Sequence, residues 1–362
     1  MAVLTSSTLD LYCWSGRWSS VPSQPQYVIR KTNPDTNNLI RFEISELIQD
    51  YIDVVFNNDY RIGSGGLSNI KSTCWFYYVK RNTYSDRDAQ EFYGYGIGTK
   101  GYTYFEDGLN STLSTSRLFS NNYIYLPENS QINIPIYIGP GGVQFVRFFT
   151  KDSLGNETVA KTLTFDLLSN APTAEDSNSY IRYASSDVQA TKIEIESVNT
   201  SASTYSAATG TAVETVYPIY TCEPKYTNYK VSFINKFGAI QDLYFNKKRT
   251  DDLNVKRDSF NTSTISSSSS GVSYNTYDAT NIVQDVAATK SLVLNTGFLK
   301  EEYNEIMRQL FQSENVWIRE NNKTLPIKIK DSSFTYKTNL NDKLVNYTVQ
   351  FEYAFDGINN IR

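Results

Sequence analysis

The chain has 362 residues with 34 basic and 38 acidic side chains, a net charge of −4, and no histidine. Without histidine, Ser-His-Asp and Cys-His catalysis are excluded, as are most zinc and non-haem iron sites. The interspersed charges offer no basic stripe for a phosphate backbone.

The length predicts two or three domains, ample for sizeable cores without disulfides or metals. The 28 Tyr and 19 Phe, with many Thr, Ile and Val, favour strands. The expected fold class is mainly β: sandwich- or barrel-like domains with one amphipathic helix packed on the C-terminal sheet.

In chain order, Ile40, Phe42 and Ile44 alternate with Arg41 and Glu43 and predict a half-buried strand. Ser45 is expected to cap a short helix reaching Ile52. Residues 74–80 are apolar on both faces and predict a central strand. Ile132, Ile134, Ile136 and Ile138 alternate, and Pro135 among them points to a sheet edge. Gly139-Pro-Gly-Gly142 predicts a turn. Residues 143–150 and 159–167 predict a hairpin with Leu154-Gly-Asn156 at its tip. Polar stretches at 169–179 and 199–211 predict linkers or long loops. The expected domains are 1–220, with a further division near 140–170, and 221–362.

In the last third, residues 230–234 and 241–245 predict strands joined by Asn235-Lys-Phe-Gly238. Ser263–Ser270 holds six serines in eight positions and is expected to be a mobile loop or an arm that orders on assembly. A helix is predicted over Leu299–Gln312, where Leu299, Tyr303, Ile306, Met307, Leu310 and Phe311 make one apolar stripe, with Thr296 as N-cap. Leu325, Ile327 and Ile329 predict a strand. Val345, Tyr347, Val349, Phe351, Tyr353 and Phe355 predict a long final strand whose apolar face the helix would cover.

Few motifs carry chemistry. Gly96-Ile-Gly-Thr-Lys-Gly101 satisfies GxGxxG literally, but a strand-like Tyr102-Thr-Tyr-Phe105 follows where a dinucleotide site needs a helix. A turn between strands is the reading. Glu106-Asp107, Asp251-Asp252, and Glu301, Glu302 and Glu305 are expected in turns, at a strand end and on a solvated helix face. Lys247-Lys248-Arg249 is expected at a solvated strand end. Cys13, Cys74 and Cys222 are odd in number and widely spaced, and predict buried reduced thiols. Tyr93-Gly-Tyr95 and Tyr102-Thr-Tyr-Phe105 are candidates for an aromatic sugar-binding platform. No catalytic, cofactor-binding or metal-ligating residue is assigned, and no cofactor. The N-terminus lacks a basic segment followed by an apolar one, and no run approaches ~18 apolar residues. The expectation is a protein made in a cytoplasm without membrane insertion.

One resemblance rests on the C-terminal third. It is carried by Val231-Ser-Phe-Ile-Asn-Lys-Phe-Gly-Ala-Ile-Gln-Asp-Leu-Tyr-Phe245, Leu294-Asn-Thr-Gly-Phe-Leu-Lys-Glu-Glu-Tyr303, Val316-Trp-Ile318, Leu325-Pro-Ile-Lys-Ile329 and residues 341–355. This order resembles structural proteins of tailed bacteriophages, particularly those infecting Bacteroidota. The resemblance implies a non-enzymatic virion tail, baseplate or tail-connector subunit located in the virion. Its partners would be other tail proteins and, in a ring-forming homo-oligomer, copies of itself, with no specific nucleic acid. The alternative is a receptor- or carbohydrate-binding fibre or adhesin.

Overall fold

The computed structural model describes residues 3–17, 19–56, 67–68, 70–108, 118–137, 142–166, 178–199, 214–221, 225–331, 333–337 and 344–355. Strands dominate, in several sheets, with a short helix near the C-terminus. The chain divides into two compact units: Met1–Glu223 with Ser232–Tyr244 and Glu302–Ser313, and Pro224–Val231 with Phe245–Glu301 and Glu314–Arg362. The division therefore returns twice, where a single boundary near 220 is expected from the sequence. The helical segment 302–313 belongs to the first unit.

The first unit opens with β1 (Leu4–Trp14) and β2 (Tyr27–Thr32), followed by helix α1 (Ser45–Tyr51), β3 (Thr73–Tyr84) and β4 (Gln90–Thr99). The antiparallel sheet order is β2-β1-β3-β4, so the stretch expected to be a central strand is central. The helix forms as expected, but Ile44 is its N-cap and Ser45 its first residue. The Ser45 hydroxyl donates instead to Glu43. The residues expected to form a strand at 40–44 are irregular. Ile48 and Ile52 pack on Leu9, Leu11, Cys13 and Cys74, covering one face of this sheet.

A β-sandwich follows. Its strands are β5 (Tyr123–Pro127), β6 (Gln131–Tyr137), β7 (Gly142–Lys151), β8 (Glu157–Asp166), β9 (Asn178–Ala184), β10 (Lys192–Asn199) and β11 (Glu214–Thr221). One sheet has the order β8-β7-β10-β11-β5; the other joins Leu67–Ser68, β9 and β6. Ile132, Ile134 and Ile136 point inward against Val146, Phe148, Ile193 and Ile195, as their alternation requires. Pro135 sits on an edge strand, where no partner needs its missing N–H. Ile138 and 139–141 of the predicted turn lie outside the described residues. The β7–β8 hairpin turns at Asp152, whose carboxylate accepts from the backbone N–H groups of Leu154 (2.8 Å) and Asn156 (2.9 Å). This single core spans the stretch near 140–170 where a further division is expected.

The last strands begin with β12 (Tyr229–Ile234) and β13 (Ile240–Phe245), joined by the predicted turn, with Gly238 at φ +75°. In the second unit come β14 (Thr250–Asn261), β15 (Ser266–Ser268), β16 (Gly271–Ser273) and β17 (Asn281–Lys300). Helix α2 (Asn304–Gln312), in the first unit, precedes β18 (Val316–Glu320), β19 (Lys323–Ile329) and β20 (Leu344–Tyr353) of the second. Within the second unit the sheet order is β18-β19-β20-β17-β14. Val345, Tyr347, Val349, Phe351 and Tyr353 are buried in alternation as predicted; Phe355 is exposed beyond the strand end.

The predicted helix start is corrected. Residues 299–300 continue β17, and a 3₁₀ turn (Glu301–Tyr303) precedes the nine-residue α2. Thr296 is no N-cap. It lies in a bulge between Asn295 and Phe298, where Gly297 has φ +72° and the Thr296 hydroxyl accepts from the Tyr347 backbone N–H at 3.0 Å. The extra residue lets the strand continue beyond the point where its alternation breaks. Tyr303 anchors α2 inside the first unit: its hydroxyl donates to the Tyr123 carbonyl at 2.8 Å and accepts from the Tyr125 N–H at 3.2 Å.

Candidate functional site

The most exposed regular structure among the described residues is the ribbon made by β14 and the first half of β17. Period-2 alternation makes the first strand, where Leu253 and Val255 alternate with Asn254 and Lys256; β-branched Ile282, Val283 and Val286 lie on the partner strand, opposite Phe260, Ser259 and Arg257. All 12 residues of β14 are exposed. At about 3.4 Å per residue the strand is roughly 40 Å long. Its register pairs Leu253 with Lys290, Val255 with Ala288 and Phe260 with Ile282, with a bulge between Asp258 and Ser259.

The serine-rich segment expected to be a mobile loop forms the ribbon's tip. Here β15 and β16 pair as a small hairpin, Ser266 opposite Ser273, and the Thr262 N–H donates to the Thr280 carbonyl at 2.8 Å. The tip presents apolar side chains between its serines: Ile265, Val272 (71% exposed), Tyr274 and Tyr277 (83%). Farther in, Leu253 (64%), Phe260 and Val283 are also open to solvent.

Pairing along the ribbon stops at its two strands. β20 joins β17 only from Ser291 onward, and β14 ends the strand order. Among the described residues, the outer edge of β14 and one edge of residues 281–290 therefore carry no strand. Asp258 stands directly opposite Asp285, a like-charge pair that weakens an isolated ribbon. Lys256, 3.8 Å from Asp258, offsets it only in part.

The base of the ribbon is fixed by Arg249, the residue before β14. Far from ending a strand in solvent, its guanidinium is buried. It donates to Asp251 (2.6 Å), to Glu320 (2.8 Å) and to the Tyr353 hydroxyl (3.3 Å), over the Tyr229 ring. The Tyr353 hydroxyl also donates to Glu320 at 2.6 Å. Burial raises the pKa of Glu320, but these two donors outweigh it and hold the carboxyl below its ordinary range. Asp251 and Asp252 open β14 rather than ending a strand.

The other sequence candidates are placed as follows. All three glycines of the GxGxxG stretch serve packing. A side chain at Gly96 would strike the Phe76 ring, one at Gly98 would strike Ile48, and one at Gly101 would strike the backbone of Lys236. Gly96 and Gly98 lie in the antiparallel edge strand β4, which excludes the strand–helix geometry of a dinucleotide site.

Tyr102 and Tyr104 are not on a strand and do not form an open platform. Tyr104 lies under the Arg308 guanidinium (3.6 Å) and donates to Glu305 at 3.1 Å, while Arg308 pairs with Glu106 at 2.7 Å. Burial pushes the Tyr102 phenol up to about 12. Glu305 and Glu106 thus hold α2 in place. Among the described residues no group of three His, Cys, Asp or Glu side chains is arranged to hold a metal. Cys13 and Cys74 are buried free thiols in contact with each other; Cys222 lies outside the described residues. Hydrogen bonding to Cys74 lowers the pKa of Cys13, and the same bond and burial raise that of Cys74.

Tyr93 and Tyr95 do sit together. They project from one face of β4, exposed at 59% and 73%, next to Tyr77 of β3. Sequence reading alone misses Tyr77, Arg81 and Glu91 beside them, because strand register, which no local motif displays, brings these residues together.

No family model matches the chain, and no curated protein sequence matches it. Among the described residues no helix is long and apolar enough to cross a membrane.

Proposed function

We propose that the chain is a non-enzymatic structural subunit of a tailed-bacteriophage virion, a tail, baseplate or tail-connector component made in the host cytoplasm. It joins copies of itself in a ring, and other tail proteins, through the β14–β17 ribbon. The observation that carries this reading is the ribbon itself, with two open edges and apolar side chains exposed from base to tip. An isolated two-stranded ribbon is marginally stable in water. Natural proteins cover such edges, and an added strand or a receiving groove covers both the backbone groups and the apolar stripe. A ring needs two different complementary faces on each subunit, and a projecting ribbon supplies one. The order of segments from Val231 to Phe355, which resembles tail proteins, points the same way.

The test compares the full chain with a variant in which residues 255–286 are replaced by a short Asn-Gly turn. Native mass spectrometry is expected to find a closed oligomer for the full chain and a monomer for the variant, with the first unit melting unchanged. Cryo-electron microscopy of the particle should locate the chain in the tail. A full chain that stays monomeric and is absent from particles overturns the proposal.

A further inference from the structure

Two sides of the first sheet are used differently. Leu9, Leu11, Cys13 and Cys74 face helix α1. The opposite face is ordered by register into rows across β1, β3 and β4. They read Trp14-Trp75-Ile97, Tyr12-Tyr77-Tyr95, Asp10-Val79-Tyr93 and Thr8-Arg81-Glu91. The tryptophan end of this face is buried, and the end at Tyr93 and Tyr95 is open. It therefore passes from a dry aromatic floor to a wet rim of charged groups within four rows.

The open half is held in a fixed arrangement. The Tyr77 and Tyr93 rings are nearly parallel, 7° apart in plane with centroids 6.4 Å apart. The Tyr93 hydroxyl donates to Glu91 at 2.8 Å, which fixes the ring. Arg81 donates through Nε to Glu91 at 2.7 Å and through Nη1 to Asp10. Tyr93 and Tyr95, two residues apart on one strand, are spaced about 7 Å along it. Two exposed tyrosines therefore stand beside a bonded Arg–carboxylate row. On the other side of β4, Gly94 and Gly96 lie under the Tyr78 and Phe76 rings. Those rings occupy the space two side chains would take and brace the strand from behind.

We infer that this open half is a carbohydrate-binding platform: a neutral pyranose oligosaccharide stacks on Tyr93 and Tyr95 while its hydroxyls bond to Arg81 and Glu91. Tyrosine supplies a flat apolar face with a polar tip, which suits a ligand that is apolar on its ring face and polar at its edge. Sugar hydroxyls both donate and accept, and the row offers guanidinium donors next to carboxylate acceptors. Arg30 and Arg81 on this face are balanced by Asp10 and Glu91, so no excess of cations is left to hold a polyanion such as nucleic acid. The open half places charges where protein interface cores are depleted of them. The inference is independent of the ribbon.

The test is binding of the full chain to a glycan array, followed by calorimetric titration with cellohexaose, chitohexaose and maltohexaose, and hexagalacturonate as the anionic probe. At least one neutral oligosaccharide is expected to bind saturably below about millimolar. Tyr93→Ala and Tyr95→Ala are each expected to weaken it at least tenfold, and Glu91→Gln to weaken it too. Tyr95→Trp should retain it. Both tyrosines are exposed, so melting temperatures should not change. The ribbon variant Tyr277→Ala should bind sugar like the parent chain, which separates this site from assembly. The inference is overturned if no neutral glycan binds, if only hexagalacturonate binds, or if the two alanine variants bind as well as the parent. It is equally overturned if those variants change the oligomeric state while sugar binding is unaffected.

Discussion

Two strands flank β17, and they have opposite fates. β20 pairs with its second half and is buried at every other residue; β14 pairs with its first half and is exposed throughout. The pairing chemistry is the same antiparallel ladder in both cases. What differs is side-chain content. β20 places Val345, Tyr347, Val349, Phe351 and Tyr353 on one face, enough apolar area to require a core. β14 offers Leu253, Val255 and Phe260 among Asp, Asn, Lys and Arg, enough to hold a strand shape and too little to draw a layer over it. The same ladder thus becomes a core in one half of β17 and a free projection in the other.

The sharpest way to break this contrast is a charge in the buried half. Val349 is fully buried and pairs with Leu294. Val349→Asp is expected to cost more than about 4 kcal/mol by burying an unpaired carboxylate, and to prevent folding of the second unit. Soluble protein with a cooperative melt of that unit would contradict it.

The junction between the halves is the next target. Arg249→Ala leaves Glu320 and Asp251 without their cation, and a cost of about 3–5 kcal/mol is expected in thermal or denaturant unfolding. It should also change the acid profile. The folded-state pKa of Glu320 is depressed, so its contribution is present above the unfolded-state value and is lost as pH falls through the folded one. The parent is expected to lose stability below the ordinary carboxylate range more steeply than the variant. Parallel pH–stability curves would refute this.

Gly297→Ala probes the bulge that lets β17 continue. The position has φ +72°, and a Cβ there would lie 2.6 Å from Asn246 Oδ1. A loss of about 1–3 kcal/mol is expected by denaturant titration. This residue also shows where sequence reading stops. Thr296-Gly297 followed by two glutamates carries the marks of a helix start, yet the backbone uses the left-handed glycine to insert one residue into a strand. Only the pairing with β20 decides between the two, and pairing is non-local. The alternation of β20 and of Ile132–Ile136 was legible because burial on one face leaves a period-2 record in the chain itself. Leu253 and Val255 leave the same record, but nothing in it says whether the face is covered. The Tyr93–Tyr95 pair was legible as two residues of a platform, whereas Tyr77 and Arg81 join it only through register. Arg249 read as one of three basic residues in a run, because the acids that bury it come from 71 positions away and from its own strand start.

The smallest expected change in stability carries the most information about assembly. Leu253 faces Lys290 across the ribbon. Leu253→Asp exchanges an exposed apolar side chain for a cross-strand ion pair, and the isolated chain should keep its melting temperature or gain a few tenths of a kcal/mol. If the ribbon's apolar stripe is what neighbouring polypeptide covers, the same change places a carboxylate in that contact and should shift the oligomer toward monomer in native mass spectra. A variant that melts like the parent yet no longer assembles separates the two roles of one side chain. A variant that both melts and assembles like the parent would move the contact off the Leu253 stripe and onto the ribbon's edges or tip.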